Sequence, residues 1–568
     1  MDKESKKESH WFWGSVYKYR SIYYQVLLAS LFINLFALAS AFYIMTVYDK
    51  VVPNNAISSL IALTAGVFLV IIFDFITKMI RGYFIDVGGS LLDDDLAERL
   101  FKKFVSHDVN KLGNSPSRLA ASVKEFDGVR DFFGSATMVT LVDFPFMIVF
   151  VGVLWAIGGM VALVPTLIIP LVIIVAATIH PLIKGYAEKN LNASQGKLGV
   201  LLELLGNIET VKTVSGGEYL KTKWHKSVGD LNRASIISRT IGNIAITFSQ
   251  SGLQISQTFM IFYGVFLIAA AELSMGALIA CVILSGRALA PLGQIGALLT
   301  RFNTAIVGYK RIDELMSVDA EDEKFEDFEH KGSIREGAIS VKNLNWVVNE
   351  RKILQDINIE INAGEKIALV GSLGSGKSSL LKCLVGFNSI EQNVISIDNY
   401  DIKSISPEVM RKNIGYSPQT IQLFTGTIYE NIGMGYDDAT EEDIEKVCEI
   451  VGIHNFIGSL PGGYNYNLDE NGRNLSGGQK KSITLARALI KKPKILILDE
   501  PTSSMDGTSM TQFIKNLKEI YTDYTLIIAT HNAQDLSLVD RVIAIVDGKV
   551  ANDLPKENFL ANINKTEI

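Results

Sequence analysis

The sequence predicts a multidomain chain, in which an all-α transmembrane domain is followed by a domain of the α/β class. Its 568 residues are too many for one ordinary domain. The chain is 48% hydrophobic, and nearly all of its long uncharged runs lie before residue 300. After residue 338, short β-type runs alternate with helical segments, which is typical of an α/β domain.

The first part contains six apolar runs, each long enough for a membrane span of about 20 residues. The predicted spans are residues 24–47, 57–79, 138–157, 160–180, 241–271 and 275–297. Changes in composition set the domain boundaries. The polar N-terminal segment, the transmembrane domain, an Asp-, Glu- and Lys-rich linker and the α/β domain are predicted at residues 1–20, 21–315, 316–338 and 339–568.

Basic residues of the first part are concentrated in two long connections, residues 80–136 and 182–240, whereas the short connections carry almost none. The positive-inside rule therefore places the N-terminus, both long connections and the α/β domain in the cytoplasm. Helical periodicity in the connections predicts hairpins that reach roughly 40 Å below the membrane. The net charge is −6, and without a basic block the sequence does not indicate nucleic-acid binding.

Three ionisable residues, Asp74, Asp143 and Arg287, fall inside or at the edge of predicted spans. Charge at this depth is costly, so a role in a translocation path is one interpretation. The other is that these helix sections lie near the cytosolic face or line a wet cavity. Pro145, which closely follows Asp143, predicts an interruption of the third span.

The first candidate functional motif of the α/β domain is a phosphate-binding loop. The stretch Gly371–Ser378 fits the pattern G-x-x-x-x-G-K-[ST] between a buried strand and a helix. Backbone N–H groups and the helix N-terminus attract phosphate, Lys377 can reach the β- and γ-phosphates, and Ser378 can ligate Mg²⁺. The predicted nucleotide-binding residues of this segment are Gly371, Ser372, Leu373, Gly374, Ser375, Gly376, Lys377, Ser378 and Ser379.

Four further motifs follow, each ambiguous alone. Gln419 ends a Gly-Tyr-Ser-Pro-Gln segment. A Ser-Gly-Gly run opens a helix and offers a second anion site, with the residues Leu475, Ser476, Gly477, Gly478 and Gln479. A buried strand ends in Asp499, which suits Mg²⁺, and Glu500, which suits a base that polarises water. His531 follows another apolar strand. Adjacent carboxylates are also found in solvated turns, and a lone histidine is often structural.

In this order and spacing, the set resembles the ATP-binding cassette family. The resemblance implies that Gln419 senses Mg²⁺ and that residues 475–479 cap ATP from a partner subunit. It also implies that His531 contacts the γ-phosphate. The family's adenine-stacking aromatic residue is replaced here by Val348, and Trp346 is the alternative candidate. Because the chain has one phosphate loop and one signature, a homodimer is the expected assembly.

Segments of the first part resemble bacterial type I secretion permeases. These segments are His10–Trp13, Val47–Asn54, Glu125–Arg130, Met275–Ala280 and Ser285–Pro291. The resemblance implies an inner-membrane exporter of unfolded polypeptides, of the repeat-containing adhesin or toxin type. A periplasmic adaptor and an outer-membrane channel would be its partners. With 20 residues before the transmembrane domain, we expect no N-terminal peptidase-like domain. Export of lipid or small hydrophobic molecules, or an ATP-dependent regulatory role, are the alternatives.

Overall fold

The structure is a computed structural model. It describes residues 10–106, 136–317, 334–348, 350–388, 390–436, 438–520 and 522–566, together with residues 123, 126, 128–130 and 132. Most of the predicted linker and two residues of the motif Glu125–Arg130 lie outside the described residues. The chain divides into two compact units, a helical unit followed by an α/β unit.

The described part of the helical unit is built mainly from long helices. Its helices are α1 (Trp13–Lys18), α2 (Arg20–Thr46), α3 (Ile57–Val105), α4 (Ala136–Asp143), α5 (Phe146–Gly158), α6 (Leu163–Gly206), α7 (Ile208–Thr213), α8 (Gly217–Ala269), α9 (Met275–Gly293) and α10 (Ile295–Met316). Helices α3, α6 and α8 contain 49, 44 and 53 residues. At 1.5 Å per residue each is longer than the roughly 30 Å of a bilayer core. The predicted helical character of the second long connection is therefore confirmed.

Five helical stretches of the described chain are long and apolar enough to cross a membrane. One of them, residues 146–206, contains most of the third predicted span and all of the fourth. The chain reverses within it, because Trp155 Nε1 donates to Thr166 Oγ1 at 3.2 Å, whereas 11 residues of straight helix would separate them by about 16 Å. Gly159, with φ +51°, lies in this turn. The third predicted span is also interrupted, between Asp143 and Phe146.

One carboxylate joins the turn after α2 to the start of α9. Asp49 lies in a five-residue π-helical turn. Its Oδ1 accepts from the Gly276 backbone N–H at 2.8 Å, and its Oδ2 accepts from the Ser274 hydroxyl at 2.6 Å. A Cβ at Gly276 would lie 2.5 Å from the Met45 carbonyl oxygen, so the approach requires glycine. Two of the sequence segments that resemble secretion permeases, Val47–Asn54 and Met275–Ala280, are therefore in direct contact in the fold.

The aromatic segment before α2 is fixed to two helices of the same unit. Trp11 Nε1 donates to Asp313 of α10 at 2.8 Å, and Phe12 is buried beside it. Asp95 of α3 accepts from Lys18 Nζ at 2.6 Å and also bonds the Ser15 hydroxyl. The N-terminal segment is thus packed against the helices, and its aromatic residues have a structural role.

The α/β unit is built on three sheets. Its strands are β1 (Ile339–Val348), β2 (Arg351–Ile361), β3 (Lys366–Val370), β4 (Ile395–Ile397), β5 (Tyr400–Asp401), β6 (Ile414–Ser417), β7 (Gly426–Thr427), β8 (Asn467–Leu468), β9 (Ile495–Asp499), β10 (Thr525–Ala529), β11 (Arg541–Val546) and β12 (Lys549–Pro555). The strand orders are β2-β1-β4-β5, β12-β11-β3-β10-β9-β6 and β7-β8. In the six-stranded sheet all strands except β12 run parallel.

Helices cover both faces of this parallel sheet. They are α11 (Lys377–Leu384), α12 (Pro407–Asn413), α13 (Ile428–Gly433), α14 (Glu441–Ile450), α15 (His454–Ser459), α16 (Gly477–Leu489), α17 (Gly507–Ile520) and α18 (Lys556–Thr566). Side chains alternate between the faces with a period of two. On β9, Ile495 and Ile497 pack in the hydrophobic cluster that includes α11. Leu496 and Leu498 pack in the cluster that includes α16. Helices α11 and α16 therefore lie on opposite faces.

The Asp49 contact predicts a measurable contribution to the stability of the helical unit. We expect Asp49→Ala to cost about 1–2 kcal/mol, because a carboxylate that caps a helix N-terminus loses two bonds. A lower thermal unfolding temperature of the purified protein in detergent would measure this loss. Lys50→Ala is the matched control, because Lys50 is exposed one residue away. Equal unfolding temperatures for the two variants would contradict the assigned role.

Candidate functional site

The predicted site residues meet at one edge of the parallel sheet. The Glu500 backbone N–H donates to the Ala529 carbonyl at 2.8 Å, and the Thr530 N–H donates to the Leu369 carbonyl at 3.1 Å. These bonds hold the carboxyl ends of β9, β10 and β3 side by side. The loops that follow these strands carry the phosphate loop, the paired carboxylates and His531. Ligands of open α/β sheets bind at this edge.

The phosphate loop depends on glycine at three positions. A Cβ at Gly371 would lie 2.2 Å from the Ile545 carbonyl oxygen. Gly374 and Gly376 have φ of +79° and +104°, which L side chains rarely adopt. Gly376 also lies against β2, where its Cβ would come within 2.9 Å of Leu354 Cδ2. The backbone therefore wraps closely at the N-terminus of α11.

The polar groups of the loop fit a phosphate ligand. Lys377 Nζ donates to the carbonyl oxygens of Gly371 and Ser372 at 2.7 and 3.1 Å, so the ammonium group lies over the loop. The Ser375 hydroxyl oxygen is buried without a hydrogen-bond partner among the described residues. An orphan hydroxyl beside an ammonium group and a helix N-terminus is the donor set that binds phosphate. Leu373 is 98% exposed and leaves the loop open to solvent.

Ser378 and Asp499 supply oxygen ligands beside the loop. The Ser378 side chain interacts with the Asp499 carboxylate and lowers its pKa, and Asp499 is buried. Burial has the larger effect and raises the pKa of Asp499 above its ordinary value. A hydroxyl and a carboxylate are the hard oxygen donors that Mg²⁺ prefers, so these residues fit that ion. Gln419, exposed just after β6, is the third predicted ligand.

Glu500 and His531 are in direct contact. Glu500 Oε1 and His531 Nδ1 are 3.1 Å apart, although the residues are 31 positions apart in sequence. The Glu500 backbone has φ +47°, which is strained for a non-glycine residue and is often found at functional sites. The Glu500 side chain is 15% exposed and that of His531 is 66% exposed. The pair thus reaches from the sheet edge to solvent.

The Ser-Gly-Gly segment forms a helix N-terminus by a reciprocal capping box. The Ser476 hydroxyl accepts from the Gln479 N–H at 3.3 Å, and Gln479 Oε1 accepts from the Ser476 N–H at 2.8 Å. A Cβ at Gly478 would lie 2.7 Å from the Ser504 carbonyl oxygen, so α16 packs closely on the segment after Glu500. Ser476 and Gly477 remain exposed. The Gly477 N–H is available to a ligand outside this unit's own loop.

The residues predicted at the adenine end lie on β1. Trp346 pairs with Leu354 of β2, the residue that approaches Gly376. The indole is partly buried and packs against the hydrophobic core. Val348 is 37% exposed at the end of the strand. The strand pairing therefore places both residues on the side of the unit that carries the phosphate loop.

Sequence reasoning missed two buried charged residues behind the site. Lys481 is 1% exposed, and its Nζ donates to the carbonyl oxygens of Pro418 and Asp499 at 3.1 and 2.9 Å. Burial lowers the pKa of Lys481 to about 8, although nearby carboxylates oppose this. Asp535, also 1% exposed, accepts from the hydroxyls of Thr502 at 2.9 Å and Thr530 at 2.6 Å. Lys481 could have been identified from the sequence, because it is a lysine within the mostly apolar, buried stretch of α16.

In the helical unit, only two of the three ionisable residues predicted for a translocation path, Asp143 and Arg287, lie at the same cavity. Asp143 bonds Arg81 at 3.1 Å, and both line a cavity of about 180 Å³ with Arg287. Asp74 instead pairs with Lys78, one turn along α3, at 2.6 Å. Sequence reasoning did not identify Lys78 or Arg81 as the counter-ions.

A helical unit with apolar membrane-length helices, followed by a phosphate-loop unit with paired carboxylates, defines an ATP-hydrolysing membrane transporter. Comparison with known families agrees with this class. The family model for the ABC transporter transmembrane region matches residues 24–291, and that for the ABC transporter matches residues 354–503. The chain belongs to the ABC transporter family and is a multi-pass membrane protein.

Relatives align along nearly the whole chain. The leukotoxin translocation ATP-binding protein LktB of Mannheimia haemolytica is 30% identical over 570 residues, which cover 99% of this chain and 79% of that protein. The exotoxin translocation ATP-binding protein PaxB of Pasteurella aerogenes is 29% identical, with the same coverage. A solved structure of a bacterial Atm1-family ABC exporter with ATP bound has a TM-score of 0.87 at 19% identity, and covers 96% of this chain and 97% of that chain. This last likeness confirms the fold.

The Lys481 contacts predict a role in positioning the loops that carry Gln419 and Glu500. We expect Lys481→Met to lower the kcat of ATP hydrolysis about 10- to 100-fold, because two hydrogen bonds to a charged group are lost. The KM for ATP should change little, since the hydrogen bonds of Lys481 go to the Pro418 and Asp499 carbonyl oxygens and not to the phosphate loop. Steady-state hydrolysis measures both constants. Lys515→Met, at an exposed position of α17, is the control. An unchanged kcat in a folded Lys481→Met protein would refute the role.

Proposed function

We propose that this chain is the ATP-hydrolysing inner-membrane permease of a type I secretion system, which exports an unfolded polypeptide from the bacterial cytoplasm. The alignment with two toxin translocation proteins over 99% of the chain carries this proposal. It includes the helical unit, where a transporter contacts its cargo, and not only the ATP-binding unit. The Asp49 contact supports it as well, because it joins two segments that resemble secretion permeases.

We infer that the working transporter is a homodimer. The helix of the phosphate loop and the helix of the signature pack on opposite faces of the same sheet. One chain carries one copy of each, and Gly477 is exposed at the N-terminus of the signature helix. Two chains related by a twofold axis would place the signature of each against the phosphate loop of the other. ATP would then be bound by both subunits.

The geometry supports distinct roles for the residues at the sheet edge. Ser378 and Asp499, with Gln419, would hold Mg²⁺, which neutralises the charge of the phosphates. Glu500 is placed to polarise the attacking water and to accept its proton. His531 contacts Glu500 directly, so it can orient that carboxylate and reach the γ-phosphate.

The proposed location is the bacterial inner membrane, with the N-terminus and the α/β unit in the cytoplasm. Basic residues in the long connections support this topology. Export across both membranes of a Gram-negative cell would require a periplasmic adaptor and an outer-membrane channel as partners. The cargo would be an adhesin- or toxin-type polypeptide.

The role of Glu500 is tested by Glu500→Gln, which keeps the shape but removes the base. We expect ATP binding to persist and hydrolysis to fall by roughly 10²- to 10⁴-fold, with the dimer trapped closed. Turnover assays and nucleotide-dependent crosslinking measure these effects. Glu519→Gln, at an exposed helix position, should retain full turnover. Wild-type hydrolysis by Glu500→Gln would remove Glu500 from the proposed role.

The transport function is tested in the native cell. Deletion of the gene should leave a large surface or secreted protein inside the cell, and mass spectrometry of the culture medium and cell surface would detect its loss. The wild-type gene should restore export, whereas the Glu500→Gln gene should not. Unchanged secretion of every protein would refute polypeptide export. ATPase activity stimulated by lipids but not by an unfolded peptide would favour a lipid exporter.

A further inference from the structure

A hydroxyl group without a partner lies behind the residues that fit Mg²⁺. Tyr416 is the third residue of β6, and its side chain packs against the hydrophobic cluster that includes α11. Its phenolic oxygen is buried and has no hydrogen-bond partner among the described residues. A buried hydroxyl group in a native fold is normally satisfied by a protein group or by an ordered water molecule. The Tyr416 hydroxyl is therefore a candidate to hold a water molecule.

The pairing of β6 with β9 places Tyr416 on the same face of the sheet as Asp499. Tyr416 is opposite Ile497 in this parallel pair, and Ile497 packs in the cluster that includes α11. Side chains two positions apart on a strand share a face, so the Asp499 carboxylate lies on that face at the end of β9. Ser378, the second residue of α11, interacts with the carboxylate there.

The Asp499 carboxylate is close enough to Tyr416 to affect its ionisation. Burial raises the pKa of the Tyr416 hydroxyl to about 12, and the negative charge of Asp499 adds to this rise. The hydroxyl therefore keeps its proton and is available as a hydrogen-bond donor. The Tyr416 ring packs edge to face with Phe387, with ring centroids 5.9 Å apart and an interplanar angle of 72°. Its donor is thus fixed near a carboxylate to which it is not directly bonded.

We propose that Tyr416 is a positioning residue of the magnesium site, whose hydroxyl donates through one water molecule to the Asp499 carboxylate and orients that carboxylate toward the ion. The proposal rests on the Mg²⁺ site proposed for Ser378, Gln419 and Asp499. A bridging water accepts from the hydroxyl and donates to the carboxylate, and such a bridge is nearly as strong as a direct hydrogen bond. Groups that hydrogen-bond to the ligands of a metal typically contribute about 10- to 100-fold to its affinity.

The test measures how strongly Mg²⁺ supports the binding of nucleotide. The full-length protein in phospholipid nanodiscs is titrated with the hydrolysis-resistant analogue AMP-PNP, once in excess Mg²⁺ and once in EDTA, by isothermal titration calorimetry. By linkage, the ratio of the two affinities reports how well the site holds the ion. We expect Tyr416→Phe, which removes only the hydroxyl, to lower this ratio about tenfold. The affinity in EDTA should equal that of the wild type, because the phosphate loop is unchanged.

ATP turnover gives a second readout that a purely structural role would not reproduce. The Mg²⁺ concentration for half-maximal hydrolysis by Tyr416→Phe should rise, whereas kcat in saturating Mg²⁺ should stay near the wild-type value. A loss of kcat that added Mg²⁺ does not restore would refute the positioning role, because it would indicate a general disturbance of the fold.

Ser417→Ala is the matched control. Ser417 is the next residue of β6, and its hydroxyl oxygen is also buried without a partner among the described residues. It pairs with Leu498, which packs in the cluster that includes α16, so its side chain lies on the face opposite to Asp499. This variant should keep the wild-type ratio. An equal loss in Ser417→Ala and Tyr416→Phe would contradict a role specific to Tyr416.

Asp499→Asn separates the role of Tyr416 from the magnesium site itself. The affinity ratio should fall in this variant if Asp499 holds Mg²⁺ as proposed. A fall for Asp499→Asn without a fall for Tyr416→Phe would refute the positioning role and leave the magnesium site standing. If neither variant lowers the ratio, both proposals fail together.

Discussion

The parallel pairing of β3, β10 and β9 is the constraint on which the chemistry of the α/β unit depends. Ladder bonds at their carboxyl ends, such as that from Thr530 N–H to the Leu369 carbonyl, fix loops that are more than a hundred residues apart in sequence. Strands β9 and β10 are fully buried and β3 is buried at its three central residues, so their register is set by apolar packing on both faces. A slip of one residue would move Asp499, Glu500 and His531 away from the phosphate loop together.

Behind this edge, the buried residues Lys481 and Asp535 connect loops that the strand pairing alone does not connect. Lys481 joins the strand end before Gln419 to the strand end before Glu500, and Asp535 joins Thr502 to Thr530. Buried ions are costly unless every polar group is satisfied, so apolar packing would be the simpler way to stabilise this region. Hydrogen bonds of fixed length instead define the spacing of the loops. The network therefore favours positional precision over stability, which suits a site that must align a carboxylate with a nucleotide.

The sequence predicted the local parts of the fold and the site well, and the non-local parts poorly. The phosphate loop, the helix start at Ser476 and the break near Pro145 depend on neighbouring residues, so the sequence pattern alone predicts them. Arg81 was assigned only to a basic connection because its partner Asp143 is 62 positions away. Lys481 contacts residues 63 and 18 positions away. The predicted spans also ended at the membrane boundary, although the long helices continue beyond it. Hydropathy shows where a span ends and not where its helix ends.

The two units solve the problem of charge in apolar surroundings in different ways. In the α/β unit, Lys481 is satisfied by two backbone carbonyl groups and lies near three carboxylates. In the helical unit, α3 places Lys78 and Arg81 next to carboxylates, whereas the exposed Arg287 lines the same cavity with no carboxylate partner among the described residues. A structural ion is normally paired within its own fold, because the cost of leaving it unpaired is paid continuously. Burial separates the two cases, because Lys481 is almost fully buried whereas Arg287 is exposed in the single chain.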